Sequence, residues 1–249
     1  MAVSVIPFVF TGIAGVRCAF QICGPRGADP FAGNISLSVG SDPDAAARNR
    51  RDLAVACGVS GLAEMRQVHG DVTVFEPNSI DATASPVLEA DGMAASRSSF
   101  GPDLGLMIKT ADCQPILLAH ASGQYVAALH VGWRGNRINY PGTAVREFCL
   151  RYGLDPVEIS AVRGPSLGPS AAEFINFASE WGTEFLPWFD ATRQTMDLWS
   201  LTRHQLQVAG LLPERIFSLD LCTYSLPEIL FSHRRDKHCG RQGSVIWME

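Results

Sequence analysis

Apolar residues along this chain come in short runs that predict strands and in three- and four-residue spacings that predict helices. The densest pattern lies in residues 105–136, GLMIKTADCQPILLAHASGQYVAALHVGWRGN. Two apolar runs, 115–120 and 125–131, flank Ala121-Ser122-Gly123-Gln124, a small polar tetrapeptide of the kind that joins hairpin strands. Symmetric pairing about that turn sets His130 opposite Pro115 and makes Cys113 its diagonal neighbour on the same face. A register change of one residue would send the two side chains to opposite faces.

Elsewhere the pattern is sparser. The apolar N-terminus, broken by Pro7, reads as a first strand entering a core, and 34–38 (NISLS) alternates like a half-buried strand. Asp42-Pro43 supplies an N-cap and a first-turn proline for a helix over 43–57, closed by Gly58. The β-branched run 71–75 reads as a strand and places His69 just before it, while 76–104, with Pro77, Pro86, Gly92 and Pro102, reads as loop. Val145, Phe148, Cys149 and Tyr152 give an amphipathic helix over 143–152 that ends at Gly153. A strand over 157–162 runs into Arg163-Gly164-Pro165-Ser166-Leu167-Gly168; helices follow over 171–185 and 198–209, then a strand over 216–221. Strands and helices alternate irregularly, with no internal repeat and no linker, which predicts a single α+β domain over 1–249 rather than a βαβ array.

Composition narrows the function classes. At 249 residues the chain can bury a sizeable core, and its net charge of −5 lacks the basic excess of a nucleic-acid binder. It has no apolar run of membrane-spanning length, and no basic segment precedes the apolar N-terminus, so neither a membrane span nor a signal peptide is expected. Seven cysteines without a CxxC pair suit a reducing cytoplasm better than a disulfide framework.

His69, Cys113 and His130 together form a mixed nitrogen and sulfur donor set. Three protein ligands leave a tetrahedral Zn²⁺ one open position, the arrangement of a catalytic rather than a structural site. The same residues allow a cysteine hydrolase with Cys113 as nucleophile and His130 as base. A copper-dependent phenol oxidase is the weakest fit, because six histidines without HxH pairs are too few for its copper sites.

The segments Gln67-Val68-His69-Gly70, Lys109-Thr110-Ala111-Asp112-Cys113-Gln114-Pro115 and His130-Val131-Gly132-Trp133-Arg134-Gly135 resemble the multicopper polyphenol oxidase, or laccase-domain, family. Its members are now mostly described as purine nucleoside phosphorylases that also deaminate adenosine. Asn34-Ile35-Ser36, Asn49-Arg50, Asp91-Gly92, Gly164-Pro165-Ser166-Leu167-Gly168, Cys222-Thr223 and Phe231-Ser232-His233-Arg234-Arg235 extend the likeness over nearly the whole chain.

The resemblance implies a four-layer α/β/β/α sandwich of mixed sheets. It implies zinc, with copper as the second candidate, on His69, Cys113 and His130. It implies inosine, adenosine and S-methyl-5'-thioadenosine as nucleosides, with phosphate as co-substrate. Phosphorolysis needs an anion site, for which Arg234, Arg235 and Arg241 are candidates with Arg134 and Arg50 behind them, and Asn34 joins the substrate contacts. Asp112, beside Cys113, is the candidate proton carrier or second-layer partner of the metal. The chain departs from the family pattern at Ala172-Glu173, at residues 136–141 and at Cys239-Gly240-Arg241.

Overall fold

The computed structural model describes residues 3–23, 29–101 and 103–249, without the side chain of Phe100. Met1, Ala2, residues 24–28 of the Gly- and Pro-rich stretch, and Pro102 of the expected loop lie outside the described residues.

In chain order the strands are β1 (Ser4–Phe8), β2 (Val16–Ile22), β3 (Gly61–Ala63), β4 (Thr73–Phe75), β5 (Gly92–Ser96), β6 (Leu104–Thr110), β7 (Gln114–His120), β8 (Tyr125–Val131), β9 (Ile159–Arg163), β10 (Phe189–Asp190), β11 (Thr195–Met196), β12 (Ile216–Ser218) and β13 (Gln242–Met248). The helices are α1 (Pro43–Cys57), α2 (Arg97–Phe100), α3 (Trp133–Arg137), α4 (Tyr140–Tyr152), α5 (Phe177–Glu180) and α6 (Leu198–Val208). A five-stranded sheet has the order β1-β2-β13-β6-β3, and a six-stranded sheet the order β12-β9-β7-β8-β5-β4. Both are mixed, with parallel pairing of β3 with β6, β4 with β5 and β9 with β12.

The sheets pack face to face. Phe20, Leu106, Ile108 and Ile246 of the first interleave with Met93, Leu117, Val126 and Val162 of the second. Along β7 the side chains alternate: Leu117 and Ala119 enter this central layer, while Ile116 and Leu118 face Val145 and Phe148 of α4. A strand covered on both faces reads as a continuous apolar run, which is why 115–120 shows no polar alternation. On the far side, Leu53 and Cys57 of α1 cover Met107 and Val245. The four-layer α/β/β/α arrangement is therefore present. Burying each of the larger aliphatic side chains contributes roughly 1.5–3 kcal/mol.

The hairpin forms in the expected register, with Pro115 opposite His130. α1 begins on the Asp42 cap, whose side chain accepts the Ala45 N–H, and closes on Gly58 at φ 71°. Three expectations fail. Residues 34–38 form no strand, because Asn34 accepts the Ser36 N–H at 3.0 Å and donates to the Ser36 and Val39 carbonyls at 2.9 and 3.1 Å. Such local side-chain bonding competes with sheet pairing. Residues 171–185 are not one helix: α5 is four residues long, and a 3₁₀ turn, Thr183–Trp188, follows the break at Gly182. Their periodic apolar residues instead build an irregular cluster around Phe174, Trp181 and Phe185. The strands β2, β3, β5, β6, β10, β11 and β13 add to the expected set. Residues 76–104, expected as loop, hold β5 and α2; the strand was missed because β5, GMAAS, lacks the β-branched residues that mark most strands.

Candidate metal centre and its cavity

The chain crosses from the five-stranded to the six-stranded sheet between the end of β6 and the start of β7, through Ala111-Asp112-Cys113. Asp112 makes that crossing at φ 97°, outside the usual range for a non-glycine residue. The crossing presents the Cys113 sulfur at the junction of the two layers. His130, at the end of β8, reaches the same point because it pairs with Pro115. His69 arrives from the loop before β4, in the left-handed conformation at φ 62°. The ligand atoms of the three residues lie within 4.8 Å of one another. Cys113 Sγ is 3.7 Å from His69 Nε2, and the two imidazoles meet edge to face at 4.8 Å between ring centres.

Asp91 holds two of these ligands at once. Its carboxylate accepts His130 Nδ1–H at 2.7 Å and the backbone N–H groups of Val68, His69 and Gly70 at 3.2, 3.0 and 2.6 Å. Engaging Nδ1 leaves His130 Nε2 for the site, the usual orientation of a metal-bound histidine backed by a carboxylate. Burial pushes the Asp91 carboxyl up, but His130 and the amides outweigh it and hold it below the ordinary carboxylate value. Burial likewise pushes the Cys113 thiol up, yet the charge and hydrogen bonds of His130 and His69 bring it down to about 6. His130 is pulled down by burial and raised by the Cys113 thiolate and Asp91, ending at about 9. Each of the two groups thus favours the charged form of the other.

Gly132 closes the back of the cluster. A Cβ there would stand 2.9 Å from His69 Cδ2 and 3.1 Å from Cys113 Sγ, so a side chain would push the ligands apart.

The three residues sit on the wall of a cavity of about 810 Å³. Of the candidate substrate contacts, Arg50, Arg134, Arg234 and Arg241 line it, and so does Asp112. The Asp112 carboxylate accepts the Thr223 hydroxyl and the Arg234 amide, each at 2.6 Å, which ties two segments of the wall to the metal loop. Arg134 lies 4.4 Å over the Trp133 ring, and Arg234 donates to the Glu173 carbonyl at 3.0 Å. Arg235 does not line the cavity; its guanidinium is bonded to the carbonyls of Thr223, Tyr224 and Leu230 at 2.7 to 2.9 Å. Asn34 also lies behind the wall, where its side-chain oxygen accepts the Arg241 N–H at 2.9 Å.

The amino-acid sequence assigns no role to Asp91, because a buried acid 39 residues from its histidine leaves no local pattern. It also passed over Glu64 and Lys109, whose pairing crosses 45 residues. One departure from the family pattern has a structural explanation. Asn136 is fully buried and bonded to Gln114, Thr202 and Gln205, which pins α3 to α6.

A two-sheet sandwich with a His₂Cys cluster able to hold a metal ion beside an open cavity defines the class of molecule. Residues 24–249 match the family described as multi-copper polyphenol oxidoreductase laccase, and the chain belongs to it. It is 32% identical over 225 residues to the purine nucleoside phosphorylase YfiH of Escherichia coli (strain K12), a match covering 86% of each chain. It is 35% identical over 228 residues to the purine nucleoside phosphorylase Rv2149c of Mycobacterium tuberculosis, covering 87% of this chain and 84% of that one. Among solved structures, YlmD from Geobacillus stearothermophilus superposes with a TM-score of 0.84 at 26% identity, covering 96% of this chain and 94% of that one. A Bacillus licheniformis hypothetical protein YfiH superposes with a TM-score of 0.83 at 25% identity, covering 94% and 93%.

Proposed function

We propose that this chain is a zinc-dependent purine nucleoside phosphorylase that also deaminates adenosine. The observation that carries the reading is the convergence of His69, Cys113 and His130 on one point of a large cavity lined by several cations. Relatives named purine nucleoside phosphorylase support the phosphorolytic half.

The donors suit zinc. Zn–S near 2.3 Å and Zn–N near 2.0–2.1 Å in a tetrahedron bring sulfur and nitrogen ligands to about 3.5 Å of each other, and Cys113 Sγ to His69 Nε2 is 3.7 Å. A blue-copper centre would use the same His₂Cys set with a long axial methionine, and no methionine lines the cavity among the described residues. When bound, the metal supplies a Lewis acid and lowers the pKa of water.

The rest of the work falls to the chain. Asp91 fixes the His130 ring directly and anchors the backbone of the loop that carries His69. The cavity cations bind phosphate and favour its approach to the ribose. Asp112 acts by positioning, since its carboxylate carries the Thr223 and Arg234 bonds. No helix among the described residues is long and apolar enough to cross a membrane. The free thiols of Cys18, Cys57, Cys113, Cys149, Cys222 and Cys239 suit a reducing cytoplasm.

The test is metal analysis combined with turnover on the same samples. The reading expects about one zinc per chain, hypoxanthine released from inosine only when phosphate or arsenate is present, and inosine formed from adenosine. Phosphate-independent release, or none, counts against phosphorolysis.

A second reading has one observation in its favour. Asp91, His130 and Cys113 are arranged as a hydrolase triad, with the thiol already lowered. Against it, His69 approaches the same sulfur, and a nucleophile needs only one imidazole beside it. Labelling of Cys113 by an electrophile in metal-free protein that remains active would favour the hydrolase.

A further inference from the structure

The cavity has two chemically different ends, set by the two sheets. Around the six-stranded sheet and its helices the wall is Trp133, Leu167, Phe174 and Leu198. The cations there are already engaged, Arg134 over the Trp133 ring and Arg234 on the Glu173 carbonyl. Around the five-stranded sheet the wall carries Lys109 of β6, Arg50 of α1 and Arg241 just before β13.

Behind that second wall lies Glu64, 1% exposed, with one carboxylate oxygen bonded to Arg50 and the other to Lys109. Arg50 is further fixed by the carbonyls of Ile35, Ala82 and Ala84 at 2.9, 3.1 and 3.0 Å. Arg50, Lys109 and Arg241 set against the one Glu64 leave this end with two uncompensated positive charges. Asp112 is the only carboxylate among the described lining residues, and both of its oxygens are occupied by Thr223 and Arg234. Among the described residues Lys109 Nζ bonds to Glu64 alone, and Arg241 uses Nη1 on the carbonyls of Cys239 and Gly240, leaving Nη2 without a bond. Partly buried cations that outnumber their one carboxylate and keep spare donors call for an anionic ligand.

We propose that a phosphate-class oxyanion binds at this end, held directly by Lys109 and Arg241, with Glu64 as the internal counter-charge that positions Lys109 and Arg50, while a purine-class base lies against Trp133 and Phe174 at the other end. The sulfur and imidazoles lie at the junction between the two, where the chain passes from β6 to β7. Which reaction consumes the anion rests on the phosphorolytic reading above; the location of the anion does not.

The test is phosphate binding to the purified, metal-loaded full chain, followed by ³¹P line broadening or calorimetry. Lys109→Met keeps the aliphatic stem and leaves Glu64 paired with Arg50. It is expected to weaken phosphate binding about tenfold or more, the loss of a hydrogen bond from a charged group. Lys109→Arg is expected to restore most of the affinity. Arg146→Met, which removes the same charge from the exposed face of α4, is expected to change nothing, and circular dichroism checks the fold of each variant. Equal phosphate affinity in Lys109→Met and wild type, or no phosphate binding by wild type, overturns the proposal. Weakened phosphate binding in a protein that never cleaves inosine upholds the anion site and removes the phosphorylase reading instead.

Discussion

Two walls of the cavity are built in opposite ways. The hairpin β7–β8 is regular, paired in one register and covered on both faces, and its ends deliver Cys113 and His130. The segment from Gly164 to Asp197 is irregular: a four-residue helix, a 3₁₀ turn, the two-residue pair β10–β11 and a cluster of aromatic rings. Sheet geometry fixes ligand atoms to within tenths of an ångström, which a metal requires. An aromatic cluster needs only complementary shape, so it tolerates change at positions such as Ala172. The difference predicts that damage to the hairpin end removes metal and chemistry together, whereas damage to the aromatic wall changes substrate affinity and leaves the metal in place.

The largest effect should follow loss of a ligand. His130→Ala or Cys113→Ala is expected to abolish stoichiometric metal binding and to lower turnover by about a thousandfold or more, an order set by removing a metal's Lewis acidity. Metal analysis beside activity checks this. Activity surviving in metal-free Cys113→Ala would break the comparison.

A comparable range should appear with pH. Metal binds thiolate and neutral imidazole, so each proton on a ligand must leave. With Cys113 at about 6 and His130 at about 9, one proton is displaced across that window. Apparent zinc affinity should therefore rise about tenfold per pH unit from 6 to 9, and fall more steeply below 6 as the thiol also protonates. Chelator competition across pH measures it. A flat profile would mean that these two side chains are not the ligands.

Smaller effects separate positioning from ligation. Asp91→Asn should weaken zinc binding by about 10–100-fold, as for other carboxylate partners of metal-bound histidines. Gly132→Ala should also weaken it, since the added Cβ meets both His69 and Cys113, while the fold persists because Gly132 has an ordinary φ of −81°. The smallest change is expected at the other wall: Trp133→Ala should raise the nucleoside KM by about tenfold, the order of one lost stacking contact of 1–1.5 kcal/mol, with zinc content unchanged. Loss of zinc in that variant would show the two walls to be one unit.

The features legible in the sequence are those with local causes. The hairpin register followed from a four-residue turn between two apolar runs, and α1 from Asp42, Pro43 and Gly58. Cys113 and His130 could be brought together on that basis alone. His69 could not, because the loop that carries it is set by Asp91, which receives three backbone amides from a distant strand boundary. Arg50 was a candidate from the sequence, but its partners Glu64 and Lys109 were hidden for the same reason, since the three meet only after α1 packs on the five-stranded sheet. The aromatic segment misled in the other direction, as its apolar spacing fits a helix over 171–185 that breaks at Gly182.

X-ray absorption of the zinc-loaded protein tests the central claim most directly. The account predicts one sulfur near 2.3 Å, two imidazole nitrogens near 2.0–2.1 Å and one exchangeable light atom in the fourth position, with the sulfur lost in Cys113→Ala. A shell without sulfur, or one closed by four protein ligands, would contradict it.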